Sequence, residues 1–162
     1  MAQVDFFLDL PGIDGESTDS KYAKKIEIDS FSVSCAQQGT QMSGGGGGAG
    51  KVRYQDLHIT NKIDKAGPKL MLACASGQHF ETANLYCRKA GGEQNDFLKF
   101  TLTDVLVSSY QAGGHGHSEV LPVQQFSLNF GKIQMEYGVQ DSKGNITDKV
   151  TAGWDVKANK KA

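Results

Sequence analysis

Two stretches of this chain change the side on which their apolar residues fall, and that limits the possible folds more than any other feature. Between positions 97 and 110, Leu98, Phe100 and Leu102 alternate with polar neighbours, and then Val105 and Val107 take over on the opposite parity. Between 126 and 139, Phe126, Leu128 and Phe130 hand over to Ile133, Met135, Tyr137 and Val139 across Gly131. Alternation of period two marks a strand with one buried face. A change of parity within such a strand needs a bulge or a sharp bend. Two long strands of this kind predict a sheet that turns corners and closes on itself.

The remaining segments fit around that pair. Val4 to Leu10 reads as a first strand with Val4, Phe6, Leu8 and Leu10 on one face, followed by a loop over 11–20 rich in Gly, Asp and Ser. Tyr22 to Ala36 reads as extended. Its apolar side changes near Ser30, with Ile26 and Ile28 on one face and Phe31, Val33 and Cys35 on the other. Further strands are expected at 52–62, 81–89 and 146–156, turns near Gly91-Gly92 and at 141–144, a loop over 111–119 and a frayed polar tail from Lys157. One helix is expected within Asp64 to Gly77. Pro68 suits a first turn and Gly77 a left-handed cap, with the apolar run Leu70 to Ala75 between them. So apolar a helix should be buried on more than one side, as a plug against the strands. No βαβ rhythm is present. The prediction is a single domain over 1–162, mainly β: an antiparallel β-barrel or tight sandwich with one short α-helix.

Charge and composition exclude several roles. Lys plus Arg number 17 against 18 Asp plus Glu, a net charge of −1, which is no nucleic-acid footprint. No apolar run approaches the ~18 residues of a membrane span. The N-terminal stretch has no basic region and is interrupted by Asp5 and Asp9, so it does not read as a signal peptide. The three cysteines, Cys35, Cys74 and Cys87, lack metal-ligand spacing and read as buried thiols of a reduced protein.

Each motif that hints at chemistry also has a missing part. Gly45 to Lys51 nearly spells a phosphate-binding loop, but Val52 stands where a Ser or Thr should reach magnesium, and a strand follows in place of a helix. His115 and His117 could share a face but have no third ligand beside them, and His58 and His79 are distant in sequence. Asn145-Ile146-Thr147 matches a glycosylation sequon, which means little without a signal peptide. The expectation is no catalysis, no cofactor and no metal. Two stretches remain as candidates for contact. Ser30 and Ser32 offer a small polar strand face. The loop of Met42, Gly44, Gly45, Gly46, Gly47, Gly48, Gly50 and Lys51 has almost no side chains with which to pack itself, and so reads as a segment to be ordered by a neighbour.

An ordered set of stretches gives the whole chain a resemblance. It comprises Asp5-Phe-Phe-Leu-Asp-Leu-Pro-Gly-Ile-Asp-Gly-Glu-Ser17, the glycine loop from Met42 to Gly50, Val52-Arg-Tyr-Gln-Asp-Leu-His-Ile-Thr60, and Ile63 through Gly77. Leu106-Val-Ser-Ser-Tyr110, Phe126-Ser-Leu-Asn-Phe130 and Gly153-Trp-Asp155 complete it. The chain resembles the haemolysin-coregulated protein (Hcp) family, the tube subunits of bacterial type VI secretion systems. The resemblance implies a β-barrel assembled into a homo-hexameric ring. Such rings stack into a hollow tube inside a contractile sheath, with a spike protein at the tip and effector proteins in the lumen. It also implies a protein made in the cytoplasm and secreted through the apparatus itself. In that setting Ser30 and Ser32 would face the lumen, and the glycine loop would lie against an adjacent subunit or ring. The alternative is a monomeric β-barrel that binds a small ligand or a carbohydrate.

Overall fold

A computed structural model describes residues 4–37, 50–89 and 95–162. The elements in chain order are β1 (Val4–Asp9), β2 (Ile26–Ile28), β3 (Ser30–Ser32), β4 (Cys35–Ala36), β5 (Arg53–Tyr54), β6 (Leu57–Lys62), α1 (Gly67–Ser76), β7 (His79–Lys89), β8 (Asp96–Gly113), β9 (Val123–Gln140), β10 (Ile146–Asp155) and β11 (Lys160–Lys161). Every strand pairing is antiparallel.

The long strand β9 makes closure possible. Its first half, Val123–Leu128, pairs β6, while Lys132 onward pairs β10. On its other edge it pairs β8, which pairs β7, which pairs β1. β1 pairs β2 and β6 pairs β3. Since β2 and β3 are consecutive and parted only by Asp29, the circuit closes into a barrel. The change of apolar side near Ser30 is the mechanism of this closure. Ile26 and Ile28 are buried under β1, the chain bends at Asp29, and Phe31 then turns inward to meet Phe6 and Phe100. Asn61 closes the remaining seam, its Nδ2 donating to the Glu27 carbonyl at 3.1 Å. The stretch 22–36 is therefore three short strands and a bend, and 52–62 is two strands; neither is the single strand that the sequence suggested.

The corners of β8 and β9 are made jointly. Thr103 pairs Lys132 and Val105 pairs Phe130, so Asp104 and Gly131 fall opposite each other. Phe80 and Thr82 of β7 flank the same row, which places Glu81 beside Asp104. The buried side changes at this row on all three strands, from Phe80 to Ala83, from Leu102 to Val105 and from Phe130 to Ile133. Asp104 takes a left-handed conformation, φ 61°. The expected register-shifting bulge is absent at this row. Adjacent strands slip together, so pairing stays continuous while the sheet bends. The register of β8 against β9 shifts further on, between Val107 and Ser109.

The barrel is filled. Leu8, Leu57, Leu85, Leu102, Phe126 and Leu128 are among the fully buried side chains of one apolar cluster. Among the described residues these side chains pack the barrel interior, and the small-ligand reading finds no support. The helix α1 starts at Gly67 with Pro68 in its first turn and ends on Gly77 at φ 66°. Its Gly67, Leu70 and Ala73 are buried, while Met71 and Leu72 are 57% and 64% exposed. The helix thus caps the barrel with one face only, against the expectation of burial on several sides. Ten residues span about 15 Å, and β8 supplies the surface they cover.

Candidate interaction surfaces

Ser30 and Ser32 are both exposed, on the outer face of β3. Strand register extends them into two rows. Ser30 pairs Thr60, which pairs Gln125, which pairs Gln111; Ser32 pairs His58, which pairs Ser127, which pairs Ser109. Directly paired residues on neighbouring strands share a face. The outside of β3, β6, β9 and β8 therefore carries a field of hydroxyls and amides.

The register shift in β8 completes this field. It inserts Ser108 beside Ser109, so that both hydroxyls reach the buried Ser127 hydroxyl, the first at 2.7 Å and the second at 2.5 Å. Ser108 also donates to Asp56 at 2.6 Å, and Asn129 Nδ2 donates to the other Asp56 oxygen at 2.8 Å. Serine, histidine and aspartate thus share one face, where the aspartate is engaged by a serine and an amide. Asp56 is held by Ser108 and Asn129, and no hydrogen bond joins it to His58 among the described residues. The signal in the sequence was the Ser108-Ser109 doublet, which breaks the alternation of β8. The partnership with Asp56 had no local signal.

Of the glycine loop, Gly50 and Lys51 precede β5 without regular structure, Gly50 half-buried and Lys51 exposed. Met42, Gly44, Gly45, Gly46, Gly47 and Gly48 lie outside the described residues. The small pair β4–β5 ties the chain together on both sides of this loop through Cys35↔Tyr54 and Ala36↔Arg53.

The cysteines separate by environment. Cys87 is fully buried, and burial pushes its thiol up to about 12, which keeps it inert. Cys74 is half-buried. Cys35 is exposed, contrary to the expectation of a buried thiol, because β4 pairs only β5, in a separate two-stranded sheet, and both of its residues are exposed. It borders an apolar groove of about 450 Å³ shared with Tyr54, Phe100, Met135 and Trp154. His115 and His117 are exposed in the loop before β9. Among the described residues no group of three metal-capable side chains forms, and no helix is long and apolar enough to cross a membrane.

One buried charge fixes the long loop after β1. Arg88 of β7 is 3% exposed. Its guanidinium lies over the rings of Phe7 and Tyr22, 4.9 and 5.5 Å from their centroids. Two of its nitrogens donate to the Asp19 carboxylate, one of them at 3.1 Å. This pairing holds the Asp19 carboxyl down at about 2. The Tyr22 hydroxyl donates to Asp96, and burial together with that carboxylate raises its pKa. Gly15 is needed where the loop returns to β2, since a Cβ there would lie 2.5 Å from the Lys25 carbonyl oxygen. No sequence pattern marked Arg88, which stands next to the end of a strand of mixed polar and apolar residues.

Comparison with known proteins agrees with this geometry. The family described as "Type VI secretion system effector, Hcp" matches residues 7–137. Protein hcp1 of Pseudomonas aeruginosa is 43% identical over 161 residues, covering 98% of this chain and 99% of that protein. Among solved structures, one described as a type six secretion system protein superposes with a TM-score of 0.93 at 33% identity, covering 99% of this chain and 100% of the other. Hcp1 from Salmonella typhimurium superposes with a TM-score of 0.82 at 37% identity, covering all of both chains.

Proposed function

We propose a role that starts from one premise: this chain belongs to the Hcp family of type VI secretion proteins. It acts as a structural subunit of the inner tube. Six copies close into a ring, rings stack into a hollow tube within the contractile sheath, a spike protein caps the tip, and effector proteins travel in the lumen. The whole chain serves as one domain without catalytic function. It is assembled in the producing cell and leaves through the apparatus.

The observation that carries this reading is the polar face of β3, β6, β9 and β8. Its exposed side chains include Ser30, Ser32, His58, Gln111 and Gln125. A wet channel wall should be small, polar and weakly charged, so that cargo is held without being trapped. Ser30 and Ser32 are assigned to the lumen on this ground. The Met42–Lys51 loop is assigned to a contact with the next subunit or ring. Deleting Gly45 to Gly48 should impair that assembly more than it lowers the subunit's melting temperature.

Light scattering of the purified protein, with negative-stain imaging, tests the central claim. A mass of six subunits and ring-shaped particles are expected. Monomer alone at micromolar concentration would sink it.

A further inference from the structure

The groove at the start of β1 has a volume of about 410 Å³ and is bordered by Asp5, Asp19, Glu27 and Asp29, with Phe7 and Arg88. Two features leave it incomplete. Glu27 and Asp29 form no ion pair among the described residues. Arg88 Nε is buried without a hydrogen-bond acceptor, the nearest Asp5 oxygen standing 3.9 Å away, beyond bonding distance. A buried donor in this state costs stability until an acceptor arrives. The groove therefore suits an extended backbone that brings a carbonyl oxygen for Arg88 and an ammonium group for Glu27 or Asp29.

Such a segment exists at the opposite edge of the same sheet. Lys160 and Lys161 form β11, beside Trp154 and Asp155 of β10. Both are exposed, and neither has an ion pair among the described residues. The sheet order runs β11-β10-β9-β8-β7-β1-β2. Five strand pairings along the barrel wall separate β11 from β1. Within one chain the two patches do not pair: no ion pair joins Lys160 or Lys161 to Glu27 or Asp29 among the described residues.

We propose that the groove receives the Lys160–Lys161 segment of a second copy of this chain in a head-to-tail contact. This rests on the tube-subunit reading and names one of its contacts. Two unlike patches on one subunit are what a heterologous contact requires. Opposite charges at the two patches also steer the encounter and suppress the like-to-like arrangement.

The test is zero-length carbodiimide coupling of an equal mixture of ¹⁴N- and ¹⁵N-labelled full-length chain, at millimolar subunit concentration. Expected are cross-linked peptides of mixed isotope joining Lys160 or Lys161 to Glu27 or Asp29. The paired variant Glu27→Gln with Asp29→Asn should lose them. The charge-exchanged chain, with Glu27→Lys, Asp29→Lys, Lys160→Glu and Lys161→Glu, should recover the junction with its polarity reversed. Absence of the mixed-isotope product in the unaltered protein overturns the contact. So does an equal yield from Lys143, which is exposed on the turn before β10. Light scattering of the same samples separates the two ideas. Six-subunit rings without the product overturn this contact alone, whereas monomers overturn the tube-subunit reading as well.

Discussion

Asp104 faces Gly131 across the β8–β9 pair, and a Cβ added to Gly131 would stand 3.1 Å from the Asp104 Cβ. It would also meet Lys157 Cε at 3.1 Å, where Lys157 reaches over to pair with Asp104. The lysine end can swing away. The Asp104 Cβ cannot, because it is fixed to a backbone already in a left-handed conformation. Gly131→Ala should therefore lower stability by about 1–3 kcal/mol through overpacking at the corner. A urea midpoint equal to that of the unaltered protein would show that the corner has slack.

That row also marks how far the sequence could be read. The parity changes in 97–110 and 126–139 located bends on β8 and β9. They did not reveal that Glu81, Asp104 and Gly131 share one row, because register is set by pairing between distant segments. The α1 boundaries were legible from Pro68 and Gly77, since caps are local chemistry. Its degree of burial was not, because Met71 and Leu72 look apolar whether or not anything covers them. Ser30 and Ser32 stood out as small polar residues opposite Phe31. The rest of their face, His58, Thr60, Gln111 and Gln125, joins them only through strand pairing. Arg88 was illegible for the same reason, as its partner Asp19 lies in a loop of irregular backbone.

Arg88→Ala should be among the most damaging single changes in the subunit. It removes the partner of Asp19 and the cation stacked on Phe7 and Tyr22, and it frees the loop that carries them. Breaking a buried pair by deleting one member costs about 3–5 kcal/mol. Arg88→Lys should recover only part of this, because an ammonium group cannot make the two-pronged contact. Equal denaturation midpoints for the alanine and lysine variants would show that the two-pronged geometry is irrelevant.

Acid should weaken the same junction. The folded Asp19 carboxyl is lowered from 3.8 to about 2, first by its bond to Arg88. A lowered carboxyl contributes stability that is present above its unfolded value and is lost as pH falls towards the folded value. The loss attributable to Asp19 should therefore fall between about pH 4 and pH 2. Asp19→Asn should be less stable at neutral pH and show a shallower decline across this window. Parallel stability curves for the two proteins from pH 5 to pH 2 would remove Asp19 from the account.

Ser32→Gln tests the polar face. Ser32 is exposed, and its strand neighbour Phe31 supplies the inward packing. A longer amide should therefore change subunit stability by no more than about 0.5 kcal/mol, as is usual for exposed positions. Across the pairing it would project beside His58, within the field that continues through Ser127 to Ser109. If that face lines the lumen, the added bulk narrows the space open to cargo while leaving the ring intact. Co-purification of a cargo protein should fall, with the light-scattering mass and the melting temperature unchanged. Loss of the ring with an unchanged melting temperature would instead place Ser32 at the contact between subunits. Undiminished cargo retention in an intact ring would move the lumen to another face of the barrel.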